Sequence, residues 1–116
     1  MTMSVREIFY KVEKHLLKQN ERSVAGKLAC RYRNDQGLTC AVGCLMTDDM
    51  YDSSFEGENV RDKYIMEALT PIVGVNEDKR RLKLYLLHRL QLVHDDSPVE
   101  DWERNLAEIK LEFDIS

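Results

Sequence analysis

The chain has 116 residues, 43% of them hydrophobic and 33% charged, a size and balance that suit one domain spanning residues 1–116 and exclude a multidomain enzyme. At this length roughly two-thirds of the unfolded surface is buried on folding, enough for a modest core without a metal or disulfide. The 17 Lys and Arg against 21 Asp and Glu leave a net charge of -4, the wrong sign for a protein that holds nucleic acid by neutralising phosphates.

The three cysteines Cys30, Cys40 and Cys44 are an odd number, and Met1 to Arg6 contains no apolar signal core, so a reducing cytoplasm is the expected compartment. No apolar run approaches the roughly 18 residues of a spanning helix, and no membrane partner is expected.

Ser4 followed three residues later by Glu7 reads as a capping box, and Val5, Ile8, Phe9, Val12 and Leu16 recur at helical period to about Gln19. After a polar break from Asn20 to Gly26, the residues Leu28, Cys30 and Tyr32 alternate with Ala29, Arg31 and Arg33, the pattern of a strand with one buried face. Asn34 to Gly37 supplies a turn. With Gly37 left-handed, Asn34 falls opposite Leu38, Tyr32 opposite Cys40 and Cys30 opposite Val42, which places the apolar residues on one face and Arg31, Arg33 and Thr39 on the other. Such a hairpin is marginal alone and has to pack on helices.

Gly43 permits a sharp bend, Thr47 to Tyr51 reads as a short capped helical turn, and Asp52 to Glu58 as a loop. Asn59 is predicted to cap a helix carrying Val60, Tyr64, Ile65, Ala68 and Leu69, which Pro71 ends or kinks before a stop at Gly74. Asn76 caps the next and central helix, whose stripe of Leu82, Tyr85, Leu86, Leu90 and Val93 is flanked by Leu84, Leu87 and Leu92. Ser97-Pro98-Val99-Glu100 reads as a capping box with proline at the first helical position, opening a last helix lined by Val99, Trp102, Leu106, Ile109 and Phe113. The expected fold is α+β, mostly helical with four to five helices and one β-hairpin packed on them.

No Gly-rich phosphate loop or paired general-acid motif is present. A structural zinc wants four ligands, but the chain has three sulfurs and no His15, His88 or His94 at a ligand-like spacing, so no metal and no cofactor is predicted. Free cysteine is most simply a small buried hydrophobe. A nucleophilic Cys40 or Cys44 with His94 and Asp95 as base and orienter is the enzyme alternative. The run Asp48, Asp49, Met50, Tyr51, Phe55 and Glu56 combines acids with aromatics, as a protein-contact loop does. Arg31 and Arg33 could grip a phosphate or carboxylate, although plain solvent exposure is the simpler expectation.

Cys40-Ala41-Val42-Gly43-Cys44-Leu45-Met46, the later Tyr51 and Glu56-Gly57, and Leu90-Gln91-Leu92-Val93-His94-Asp95 with Trp102 resemble a family of small uncharacterised phage and prophage proteins. The resemblance covers most of the chain. It implies provenance without mechanism, because no activity belongs to the family as a whole. Size, acidic charge and the lack of a catalytic constellation add to it an expectation of a phage-type accessory protein. Such a protein would bind a host protein stoichiometrically in the host cytoplasm, as an inhibitor of a defence system or a host modulator. The alternative is a small-molecule or nucleotide-binding, sequestering protein, its pocket lying between hairpin and central helix and built from Cys40, Gly43, His94, Asp95 and Trp102.

Overall fold

The computed structural model describes residues 2–25 and 29–116, and its first element is set by its cap. Ser4 Oγ accepts from the Glu7 N–H at 3.1 Å while Glu7 Oε1 accepts from the Ser4 N–H at 2.9 Å, closing the expected box at the head of α1, Val5–Gln19. These bonds favour the carboxylate and hold the Glu7 carboxyl below its ordinary range. Ile8, Phe9, Val12 and Leu16 are all buried, as their period requires, and Asn20 ends the helix in the left-handed conformation.

Five α-helices and one antiparallel two-stranded hairpin are found among the described residues, a mostly helical α+β fold. The helices after α1 are α2 (Lys63–Ala68), α3 (Thr70–Val73), α4 (Glu77–Asp96) and α5 (Trp102–Glu112). α1 packs against both α4 and α5, and α4 against α5, so the core sits among these three. No helix is long and apolar enough to cross a membrane.

The hairpin lies earlier than the alternation predicts. Its strands are β1 (Val24–Ala25) and β2 (Ala29–Cys30), with Val24 opposite Cys30, while Leu28 and Gly26 fall outside the described residues. The expected pairing of 28–33 with 38–42 is reduced to a bridge between Arg33 and Thr39, flanked by Asn34 N–H to Leu38 O at 3.0 Å and Cys40 N–H to Tyr32 O at 3.3 Å. Register and turn are those expected, with Gly37 at φ +83°, but the ladder stops at Cys40. There the chain coils into a turn, with Cys44 N–H on Cys40 O, and a 3-10 segment Gly43–Leu45. Gly43 is what allows this coil to press on the strand: a Cβ built there would lie 2.1 Å from Tyr32 O.

Three other boundaries shift for local reasons. α2 is capped by Asp62, whose Oδ1 accepts from the Tyr64 and Ile65 N–H groups, because Asn59 is spent on a preceding turn with Arg61. Proline does not open α5 directly. A 3-10 turn Val99–Asp101 intervenes, and the Ser97 hydroxyl accepts from Asn105 Nδ2 instead of forming a capping box. On α4 the buried arc runs through Leu86, Leu87, Leu90, Val93 and His94, while Leu82 and Tyr85 are 49% and 43% exposed. The helix meets α1 and α5 together, so the inward face keeps Leu86, Leu90 and Val93 of the predicted stripe but is rotated off Leu82 and Tyr85, and Tyr85 instead stacks near Phe113 at 5.6 Å.

Candidate functional site

The last turns of α4 carry Gln91, His94 and Asp95, and the i, i+3, i+4 spacing puts them on one face. That face meets β2 and the Cys40–Gly43 coil. Gln91 Oε1 accepts from the Val42 N–H at 3.0 Å and its Nε2 donates to Asp95 Oδ1 at 2.9 Å, so the amide is fixed at both ends. His94 is fully buried. Its Nε2 accepts from the Ser23 N–H at 2.9 Å and its Nδ1 donates to the same Asp95 Oδ1 at 2.7 Å, which sets the Nδ1–H tautomer. Trp102 packs on the imidazole with ring centres 5.6 Å apart and donates from Nε1 to Ser97 O. Arg22 closes the end of α4 by donating to the carbonyls of His94 and Ser97, satisfying groups a helix C-terminus leaves free.

In front of this assembly a cleft of about 360 Å³ runs between Ala29–Tyr32 and α4, walled on its third side by Gly57–Val60. Cys30, Arg31, Tyr32, Asn59, His88, Gln91 and Asp95 are among the residues that line it. Of the five residues expected to make a pocket, Asp95 alone faces this space. Cys40, Gly43, His94 and Trp102 are buried behind it and hold its floor in place. The sequence reading missed Cys30, Tyr32, Asn59, His88 and Gln91 as lining residues. Only Gln91 had a local signal, its spacing to His94 and Asp95.

The thiol chemistry falls on a different cysteine from those expected. Cys30 Sγ, a ring nitrogen of His94 and an Asp95 oxygen lie within 4.8 Å of one another, while Cys40 accepts from the Gly43 N–H and Cys44 donates to Ala41 O. Burial and then the negative field of Asp95 push the Cys30 thiol up to about 11. Burial also pushes the Cys40 thiol up, and that of Cys44 to about 12. A nucleophilic cysteine needs the opposite shift, and His94 Nε2, the nitrogen that would take a thiol proton in a relay through Asp95, is committed to the Ser23 N–H. The same bond opposes a metal on this trio. An imidazole that ligates through Nδ1 carries its proton on Nε2, where it would meet the Ser23 N–H head on.

The acidic loop is divided between solvent and interior. Asp48 and Asp49 are exposed and Met50 and Tyr51 half-buried, but Phe55 is only 7% exposed and belongs to the core. Glu56 points inward, accepting from the Tyr32 and Arg33 N–H groups at 2.8 and 3.1 Å and from Tyr51 Oη at 2.6 Å, with Arg31 at 3.8 Å. Arg31 and Arg33 are accordingly not free solvent-facing groups. Arg33 lies 4.5 Å over the Tyr51 ring and donates to Asp48 and Met46 O, so it grips the chain's own loop, whereas the Arg31 Nε is buried near Glu56 with no hydrogen-bond partner among the described residues. The pinned loop leads directly into Gly57 and Glu58 of the cleft wall, where Tyr32 Oη donates to Glu58 O at 2.7 Å.

Comparison with protein-family models, with curated proteins and with solved structures finds no match to this chain.

Proposed function

We propose that the protein binds a small molecule in the cleft between Ala29–Tyr32 and α4, non-covalently and without turning it over. The observation that carries this reading is the Asp95 carboxylate, held at the cleft by His94 and Gln91, each of which is itself fixed by a backbone N–H. A polar group positioned this firmly on the wall of a concavity is how ligand orientation is set, and the volume falls at the low end of the roughly 300–1,000 Å³ usual for small-molecule pockets. The protonated thiol of Cys30 gives the site an apolar neighbour in place of a nucleophile. Sequestration by stoichiometric binding is the function that fits a site with a receptor group and no reacting one.

A thermal-shift screen tests it. A ligand at about a hundred times its Kd stabilises the fold by roughly 2.7 kcal/mol, a readily measured rise in Tm. Hits should vanish in Leu92→Trp, which fills the cleft from α4. Hits that shift Tm equally in that variant overturn the reading, as does a broad metabolite library without hits.

Binding to a host protein is the second reading, supported by the exposed carboxylates of Asp48, Asp49 and Asp52 beside half-buried Met50 and Tyr51. It calls for one host protein recovered in stoichiometric amount and lost with Asp48→Lys plus Asp49→Lys. Recovery unchanged by the double charge reversal would end it.

A further inference from the structure

We infer that the ligand of this cleft carries a compact organic cation, an ammonium or amidinium group, received by Asp95; the inference rests on the small-molecule reading above and names its ligand class. Asp95 is the one carboxylate fixed by helix α4 at the cleft, and its side chain is only 30% exposed. Its donors among the described residues are neutral. Gln91 is an amide, and His94 donates as a neutral ring because its Nε2 accepts from Ser23. Both bonds end on Oδ1, and the remaining neighbour of the carboxylate is the Cys30 thiol, a neutral and weak donor. Among the described residues no Lys or Arg nitrogen lies within 4.0 Å of the carboxylate either. Arg22, whose charge is felt at Cys30, directs its Nε and Nη2 donors to the His94 and Ser97 carbonyls.

A carboxylate partly shielded at a cleft wall and met by neutral donors alone favours a counter-ion that brings its own hydrogen-bond donors. The cleft mouth gives that counter-ion access. The rest of the lining adds a constraint: Arg31 itself borders the cleft and His88 lies in the positive fields of Arg61 and Arg89, all of which oppose a second cationic group. The ligand is therefore a monocation whose remainder is neutral or anionic, small enough for about 360 Å³.

Benzamidine, benzamide and benzoate share one shape and differ in charge, so titrating each into the ¹⁵N-labelled full chain separates charge from fit. The side-chain amide of Gln91 reports on the site directly. Benzamidine should bind at least tenfold tighter than benzamide, with benzoate weakest, and Asp95→Asn should bring benzamidine down to the level of benzamide. The ranking in the unaltered chain keeps the test valid should Asp95→Asn fold poorly. If benzamide or benzoate matches benzamidine at Gln91, the cation inference fails and the cleft stands. If none of the three moves Gln91, the cation inference fails; if a broad metabolite library also leaves the cleft silent, the binding reading falls with it.

Discussion

Around α1, α4 and α5 the chain is held by apolar contact, whereas between Ala29 and Val60, where Cys40, Val42, Leu45 and Phe55 also enter the core, the course of the backbone is fixed by polar side chains aimed at its N–H groups. The first region buries Phe9, Leu16, Leu86, Leu90, Trp102 and Leu106 completely. The second has no ladder beyond a two-residue hairpin and a bridge, and relies on Glu56 and Gln91 to satisfy the N–H groups of Tyr32, Arg33 and Val42, as His94 does for Ser23 just before it. The difference teaches how a small domain builds a cleft. Helices supply a rigid floor, and an irregular segment pinned by a few directional bonds supplies the walls.

The comparison breaks most visibly at Trp102, where the two regions meet. It is fully buried, stacks on His94 and bonds Ser97 O, so Trp102→Ala removes core volume and the support of the cleft floor together. A loss of about 3–5 kcal/mol is expected, read as a fall in the urea midpoint. A loss below 1 kcal/mol would mean that the helical floor is not what carries this region.

Next comes the polar side. Glu56→Gln keeps the size of the side chain but turns an acceptor of three donors into a group with one oxygen and an NH₂ facing N–H groups. The expected loss is about 1–3 kcal/mol, the cost of buried donors left unmatched. Hydrogen exchange should quicken at the Tyr32 and Arg33 amides while the α1 and α5 amides stay protected. Uniform acceleration along the chain would show that the loop is one cooperative unit with the helices and would dissolve the distinction drawn above.

How much of this was legible follows the same divide. α1 could be read completely because its cap and its stripe are both local: Ser4, Glu7 and the buried face lie within four turns of one another. The Gln91, His94 and Asp95 face was legible as spacing, but its partners Ser23, Cys30 and Val42 stand 49 to 71 residues or so away in sequence, and no local pattern links them. Glu56 looked like a surface acid because nothing in the residue string tells that two consecutive backbone N–H groups will point at it. The apolar arc of α4 was recognisably wide, yet width alone does not say which side meets two helices and which meets one. The hairpin alternation was real, and its register survives at Arg33 and Thr39, but Gly43 coiled the second strand away before a ladder could form.

A smaller effect sharpens the helical half. Ser4→Ala removes the acceptor of the Glu7 N–H and should cost about 1 kcal/mol, a typical cap contribution. The bonds to Ser4 depress the Glu7 carboxyl, so its share of stability is present above the unfolded value and is lost as pH falls through the folded one. Because the backbone N–H of residue 4 still reaches Glu7 in the Ser4→Ala variant, the acid slope is tested with Glu7→Gln, which should flatten the loss of stability in acid. Equal slopes for Glu7→Gln and the unaltered chain would mean that the Glu7 carboxylate adds nothing to the cap in solution.

The faintest signal at neutral pH belongs to Cys30, and it tests the cleft directly. Its thiol titrates near 11 in the folded protein against an ordinary value near 9, so the neutral form is favoured by the fold. Stability linked to this group is whole below about pH 9 and declines as pH rises towards 11. Alkylation by iodoacetamide under native conditions should be slow at pH 7.5 and accelerate through that interval, and Asp95→Asn should move the acceleration to lower pH by removing the negative field. Because the cleft leaves Cys30 partly accessible, slow reaction at neutral pH would reflect thiol protonation, and denaturation would raise the rate chiefly by restoring the ordinary titration. Fast alkylation at pH 7.5, unaltered by Asp95→Asn, would establish a thiolate at the cleft and return covalent chemistry to contention.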